Sequence, residues 1–328
     1  MTIRTYIIRR ILVIIPVFLL ISLIIFMMIH LAPGDPTRVL IGTRGKVPQE
    51  YFEKRIKDLG LDQPIFVQYF LWLSSLLRGD LGVSFVRGGG ATPVIQLIGE
   101  RVPYTLELMV FAEIISVIVA VVLGVIAAVK HYSIIDALAS LGALIGYSTP
   151  NFWLAIMLVL FFSVQLRLLP AGGTQSLGVT FSSPLQYIGD HLRHLILPVS
   201  VLVLVWTAYL LRMTRSSMLE VLGQDYITTA RAKGLKERAV IYKHALRNAL
   251  LPIITYEGYS VGYLFAGAAV IEYIFDWQGL GNFMVTYSVI RDYPSIMGLA
   301  MIIAIMVLLA NLIADIAYAI ADPRIRYD

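Results

Sequence analysis

The sequence predicts an all-α integral membrane protein with six transmembrane helices and a small extracytoplasmic domain after the first of them. Three observations carry this expectation. Only 14% of the 328 residues are charged while 58% are hydrophobic, and the mean hydropathy is +0.80, a balance that excludes an ordinary soluble domain. Several uninterrupted apolar runs reach the ~20 residues needed to cross hydrocarbon. Lipid offers no partner for open backbone groups, so each such run must be helical.

The first run, Ile11–Leu31, follows Arg4, Arg9 and Arg10. That flank imitates a secretory signal, but the run is about twice the usual apolar length and no small-residue cleavage site follows it. It reads as a retained helix, so residues 1–31 form a cytoplasmic N-terminus and the first span. Residues 32–100 form the extracytoplasmic domain. There Phe66, Tyr69, Phe70, Leu73, Leu76 and Leu77 recur at helical spacing between Pro33-Gly34-Asp35-Pro36 and Gly88-Gly89-Gly90.

Residues 101–328 hold the membrane core with five further helices. The second span is Tyr104–Val129. The third, Ile135–Phe162, is overlong and interrupted at Ser148-Thr149-Pro150, where either a proline kink or an unwound turn beside protein or a water-filled cavity fits. A Gly/Ser-rich loop, Leu166–Arg193, precedes the fourth span, His194–Leu211. The fifth and sixth are Pro252–Ile271 and Ser295–Ile320.

Lysine and arginine orient the whole. With the N-terminus inside, the inner segments hold 14 of them: Arg4, Arg9, Arg10, Lys130, eight in the loop 212–251, Arg324 and Arg326. The two short outer loops hold only Arg167, Arg193 and Arg291. The nine in Ala32–Pro103 count little because the loop is long. Both termini are expected in the cytoplasm of a cell (inner or plasma) membrane.

Most chemistry is excluded. There is no cysteine, and the five histidines show no paired metal spacing. The net charge of +5 sits beside apolar spans, which points to membrane orientation rather than nucleic acid. Gly146-Tyr147-Ser148-Thr149-Pro150 is not a nucleophile elbow. Gly42-Thr43-Arg44-Gly45-Lys46-Val47 lacks the spacing and hydroxyl of a phosphate loop. No catalytic residue, metal site or nucleotide site is expected, and the chain is read as not an enzyme. Among the intramembrane carboxylates Glu107, Glu113 and Asp315, no acid–acid or acid–lysine pairing spells out proton coupling, though such residues often mark a pathway. Glu113, Ser148 and Pro150 are the candidate pathway residues. A lone secondary transporter or channel is the alternative class.

One stretch organises the cytoplasmic side. From Arg212 to Leu251 the chain carries eight Lys/Arg against three Asp/Glu. Asp225 fits an N-cap for a short helix with acid at its positive end. Thr228, Thr229, Ala230 and Ala232 give that helix a small face suited to a cleft, and Gly234 is its stop. A second helix follows, with Ala239, Tyr242, Leu246 and Ala249 on one face and Lys236, Lys243 and Arg247 on another. Either a protein partner or anionic membrane lipid would satisfy this basic surface.

The ordered motifs LAPGDP (Leu31–Pro36), GLDQP (Gly60–Pro64), GDLG (Gly79–Gly82), R-x-P-x-TLEL (Arg101–Leu108), S-x-P-x-FWL (Ser148–Leu154), TARAKGL (Thr229–Leu235), HALRNALLP (His244–Pro252), RDYP (Arg291–Pro294) and ADPRIRY (Ala321–Tyr327) run nearly end to end. In them the chain resembles ABC-importer permeases of the dipeptide/oligopeptide type, specifically the first of their two paired permease subunits. The resemblance implies the type I ABC-importer permease fold, with Asp225, Thr228, Thr229, Ala230, Arg231, Lys233, Gly234, Lys236 and Arg238 in the segment that docks on an ATPase. Ala230 and Gly234 match the second alanine and the glycine of the family's EAA motif, whereas Thr228 and Arg247 depart from its glutamate and proline. The implied partners are a second permease in a heterodimer, two ATPase subunits that bind ATP and Mg, and an extracytoplasmic solute-binding protein contacted by the domain after the first helix. The implied mechanism is alternating access. Dipeptides, oligopeptides, glutathione, nickel chelates and oligosaccharides all remain open as cargo.

Overall fold

A computed structural model of the chain describes residues 3–31, 50, 53–54, 56–57, 60, 63–84, 86, 91–264 and 266–321. In chain order come α1 (Ile3–His30), α2 (Ile65–Leu77), the two-residue strands β1 (Val83–Ser84) and β2 (Thr92–Pro93), α3 (Val94–Gly99), α4 (Val102–Val129), α5 (Ile134–Ser148) and α6 (Asn151–Leu158). They are followed by α7 (Pro184–Leu222), α8 (Asp225–Ala232), α9 (Glu237–Ala239), α10 (Leu246–Ala249), α11 (Leu251–Tyr263), α12 (Ala269–Ile274), α13 (Leu280–Val289) and α14 (Tyr293–Ala321). Wide π turns occupy Val159–Gln165, after α6, and Val240–Ala245, between α9 and α10.

Among the described residues, four apolar helical stretches are long enough to cross a membrane: Ile8–Met28, Val94–Val129, Pro184–Leu222 and Tyr293–Ile316. The pair Ile134–Ser148 and Asn151–Gln165, bent by 102°, would add a fifth. That bend settles the two readings of the third run. Thr149 is extended (φ −83°, ψ 126°) as the residue before a proline prefers, and Pro150 starts a new helix, so the chain breaks there rather than kinks. The fourth run is much longer than its apolar part. Ser183 caps Gln186 N, Pro184 sits in the first turn, and nothing stops the helix before Gly223, giving 39 residues. The fifth run is shorter than expected. Its helix closes at Tyr263, and Gly267 takes φ +71° before α12 begins.

The residues divide into two compact units: Met1–Thr105 with Val261–Ala269 and Gln278–Asp328, and Leu106–Ser260 with Val270–Trp277. In the first unit α1 runs antiparallel to α14. Arg10, near the start of α1, holds Asp315, near the end of α14, at 3.0 Å, while Phe26 packs on Met297 at the opposite end. The intramembrane Asp315 is thereby neutralised by an ion pair, and the start of α1 and the end of α14 lie at one end of this helix pair. A second core joins Val94, Leu97 and Ile98 to Leu280, Phe283, Tyr287 and Leu299. β1 and β2 pair antiparallel, Val83 opposite Pro93. From β1, Ser84 donates to the buried carboxylate of Asp292.

The helix expected from Phe66 to Leu77 is α2, with Leu73 and Leu76 buried but Phe66, Phe70 and Leu77 exposed. The Pro33–Pro36 and Gly88–Gly90 punctuation lies outside the described residues.

In the second unit small residues let helices approach closely. A Cβ on Gly124 of α4 would fall 2.7 Å from Thr214 Cβ of α7, and one on Gly146 of α5 would fall 3.1 Å from Ala208 Cβ. Ala120, Ala143, Ala208, Leu210 and Leu211 fill the seam between these three helices, the small-residue packing that membrane helices favour.

Candidate functional site

α7 carries the chain past its apolar section to Leu222, and the backbone turns at Gly223 and Gln224 into α8. Asp225 is not the cap. Gln224 takes the extended cap conformation without a side-chain bond, and Asp225 is the first helical residue. Its charge still faces the positive end of the helix, where the first amides are unpaired. Thr229 Oγ1 donates to Asp225 O over 2.9 Å. The helix ends at Lys233, and Gly234 turns the chain with φ +75°, its N–H donating to Arg231 O over 2.9 Å. An L side chain at that φ meets its own carbonyl, so glycine is the natural occupant.

Burial sorts the segment into two faces. Ile227 and Ala230 point inward, to a core shared with Val125 and Ala128 of α4, Met218 of α7, and Val240, Ile241, Ala245 and Ala249. Asp225, Thr228, Thr229, Arg231, Lys233, Gly234, Lys236 and Arg238 are all exposed. Ala230 therefore belongs to the packing beneath the surface and not to the small outward face. The face expected for the second helix is corrected at Tyr242, whereas Ala249 is buried and Leu246 packs against the same core as expected. Tyr242 is 59% exposed, and the buried set is Val240, Ile241, Ala245 and Ala249. The π turn over Val240–Ala245 puts an extra residue into the turn, which rotates the apolar stripe away from ordinary helical spacing.

Three contacts fix the segment's shape. Arg231 spans the glycine turn to Glu237 at 2.8 Å, and its guanidinium holds that carboxyl below the usual carboxylate range. Asn248 Nδ2 donates to Tyr226 Oη over 2.8 Å, and Ser217 Oγ donates to Ala249 O over 2.8 Å. With Arg231 paired, Lys233, Lys236 and Arg238 stand with Asp225 on the surface, so the exposed arc is net basic.

The pathway candidates divide differently. Glu113 is not alone: Ser260 Oγ lies 2.8 Å from Glu113 Oε1 and 3.1 Å from Glu257 Oε2. The expectation of no acid–acid pairing is thus corrected. The signal was present, because Glu257 is the single charged residue of Pro252–Ile271. Glu107 pairs with His191 at 2.8 Å, whose other ring nitrogen lies 2.7 Å from Thr174 O. Ser148 and Pro150 are exposed at the helix break, and no described contact joins them to Glu113.

Sequence reasoning also missed Asp136, buried and held by Arg215 at 2.6 and 2.9 Å; spacing alone cannot reveal a bond 79 residues apart. Among the described residues no cluster of three or more His, Cys, Asp or Glu could hold a metal.

Two family models match the chain. Residues 120–327 match the binding-protein-dependent transport system inner membrane component, and residues 3–109 match the N-terminal part of such membrane components. The chain is similar to the oligopeptide transport system permease protein AppB of Bacillus subtilis, at 45% identity over 98% of this chain and 99% of that protein. It is also similar to the dipeptide transport system permease protein DppB of Escherichia coli K12, at 42% identity over 98% of each.

Proposed function

We infer that this chain, which belongs to the family of binding-protein-dependent transport system inner membrane components, is a permease subunit of an ATP-driven peptide importer and docks its ATPase through the exposed arc Asp225–Arg238. The observation that carries the docking assignment is the two-faced construction of that arc. Its inner residues Ile227 and Ala230 are locked into the core at the ends of α4 and α7. Its outer face is exposed and carries the small Thr228 and Thr229 and the basic Lys233, Lys236 and Arg238, turned by Gly234. A partner pressing on the outer face would thus move both helices as one body.

The reading extends to the assembly. A second permease completes a heterodimer, two ATPase subunits bind ATP and Mg, and an extracytoplasmic binding protein delivers a peptide to the domain of residues 32–100. Six spans of the type I importer fold are proposed, with α11 serving as the fifth crossing. The common end shared by the start of α1 and the end of α14 supports this, since it needs an even number of crossings. The Lys/Arg-rich loops support a cytoplasmic position for that end, at the cell membrane. Glu113, with Glu257 and Ser260, and the break at Ser148–Pro150 are proposed to belong to the translocation half of the molecule. The relatives' names, an oligopeptide and a dipeptide permease, support a peptide cargo.

The chain has no cysteine, so single cysteines can map the dock directly. Thr229→Cys and Lys233→Cys should cross-link to the partner ATPase in membranes, and Ala230→Cys should not. Equal cross-linking at all three positions, or at none while the complex remains assembled, would refute the assignment. Lys236→Glu with Arg238→Glu should lower ATPase recovery on co-purification; unchanged recovery would favour contact with anionic lipid instead.

A further inference from the structure

The second unit contains a cavity of about 710 Å³ between α5, α7 and the start of α11, a volume in the range of small-molecule sites. Tyr147 and Leu144 of α5 and Tyr209 of α7 supply its apolar wall, and the ring of Tyr209 lies 5.0 Å from that of Tyr256. Its charged residues are Arg212, Arg215 and Glu220. They are not equivalent. Arg215 is committed to Asp136 by two hydrogen bonds of 2.6 and 2.9 Å. Arg212 and Glu220 have no ion partner among the described residues. One cavity therefore offers one uncommitted cation and one uncommitted anion on the same helix.

Their spacing selects a ligand. Eight residues along α7 separate the two Cα atoms by about 12 Å, at ~1.5 Å of rise each. An extended peptide advances ~3.3–3.6 Å per residue, so the termini of a chain of two to four residues fall within reach of both side chains. A guanidinium matches a carboxylate in a bidentate fork, a carboxylate matches an ammonium, and the tyrosine wall takes side chains of either polarity.

We propose that this cavity is a binding site for a short zwitterionic peptide at the cytoplasmic end of the permease, with Arg212 holding the C-terminal carboxylate and Glu220 the N-terminal ammonium. The inference rests on the peptide-importer reading and adds to it a site within this chain alone. Because Arg212 follows the apolar part of α7, the site lies on the release side. It gives imported peptide a last station, and cytoplasmic peptide a place to oppose further transport.

The test uses the whole transporter in nanodiscs, without binding protein or nucleotide, and tri-alanine as probe, free or capped at one terminus. Free tri-alanine should bind saturably. Amidating its carboxylate should weaken binding about tenfold in the wild type but not in Arg212→Gln. Acetylating its amine should do the same in the wild type but not in Glu220→Gln. Absence of saturable binding, or capping effects that persist unchanged in both variants, would overturn the site. So would a co-purifying phospholipid that tri-alanine fails to displace, which would make the cavity a headgroup pocket. Binding-protein-dependent uptake by the same transporter in proteoliposomes separates the two levels of inference. Uptake without cavity binding overturns only this site, whereas absence of ATP-driven peptide uptake overturns the importer reading.

Discussion

Replacing Gly234 tests whether the shape of the docking arc matters apart from its charge. The residue has φ +75°, and a Cβ there would meet nothing within 4 Å. Any penalty is therefore backbone strain and not collision. Holding a non-glycine residue in this region costs about 1–3 kcal/mol, about 2 at the midpoint. The restricted unfolded chain returns about 0.5 kcal/mol of this. A valine thus faces a net cost near 1.5 kcal/mol, about a tenfold loss of the native turn at ~1.4 kcal/mol per decade. The strain can be relieved locally, because Lys233, Gly234, Leu235 and Lys236 are all exposed. Gly234→Val should therefore insert and fold normally while its apparent affinity for the ATPase falls by about the same tenfold factor. Asparagine tolerates positive φ far better, so Gly234→Asn should stay within a few fold of wild type. The assay is titration of ATPase onto nanodisc-held permease, followed by ATP-driven uptake in proteoliposomes. Equal affinities for the valine and asparagine variants would refute the claim that the turn organises the dock.

Two further perturbations probe groups outside the docking arc. Asp136 has 6% side-chain exposure and Arg215 25%, and removing one partner strands the other, so Asp136→Ala should cost about 2–3 kcal/mol in thermal unfolding, with a smaller cost for Asp136→Ala in an Arg215→Met background. Burial raises the Asp292 carboxyl above its ordinary value, against the opposing hydrogen bonds of Ser84 and Ser295. The native state thus favours the protonated acid. Its contribution is complete below the unfolded value of 3.8 and is lost as pH rises through the higher native one. Asp292→Asn should remove that loss and flatten the stability–pH profile above pH 4. A variant profile that keeps the wild-type slope would show that Asp292 is not its source.

The parts of this fold that were legible in the sequence are those governed by a one-dimensional signal. Apolar length revealed α1, α4 and α14, and the Ser148-Thr149-Pro150 interruption marked the break after α5, because a residue before proline resists the helix. The fourth run illustrates the limit. Its apolar core ends at Leu211, yet α7 continues to Leu222 because Arg212–Leu222 contains ordinary helix formers and no breaker. The segment proposed to dock was legible as basic, small-faced and glycine-terminated, but not which of its residues face out. Ala230 looked like part of the small surface and is instead packed against α4 and α7. The apolar face after Lys236 was legible at Leu246 and Ala249 but not at Tyr242, because a π turn, which no periodicity announces, rotates the stripe there. The pairs Asp136–Arg215 and Glu113–Ser260–Glu257 needed three dimensions, although the solitary charge in Pro252–Ile271 was a sufficient reason to look for a partner to Glu257.

The burial of Ala230 also bears on how the proposed docking arc would work. A surface made only of exposed side chains could bind an ATPase and transmit nothing, since exposed residues yield by changing rotamer. Here the arc reaches inward at Ile227 and Ala230, which share one core with Val240, Ile241 and Ala245 beyond it and with Val125, Ala128 and Met218. Close-packed interiors resist compression and transmit displacement. The small size of Ala230 and Ala245 brings the segment's backbone close to α4 and α7, while Ser217 and Tyr226 tie its two ends by hydrogen bonds. Enlarging the buried Ala230 to leucine should consequently impair transport by a route opposite to that of Gly234→Val. The overpacked core costs about 1–3 kcal/mol and shifts the arc relative to α4 and α7, so ATPase association persists while peptide-stimulated ATP hydrolysis falls. Loss of association with intact stimulation in the remaining complex would refute the division between an outer face that binds and an inner face that transmits.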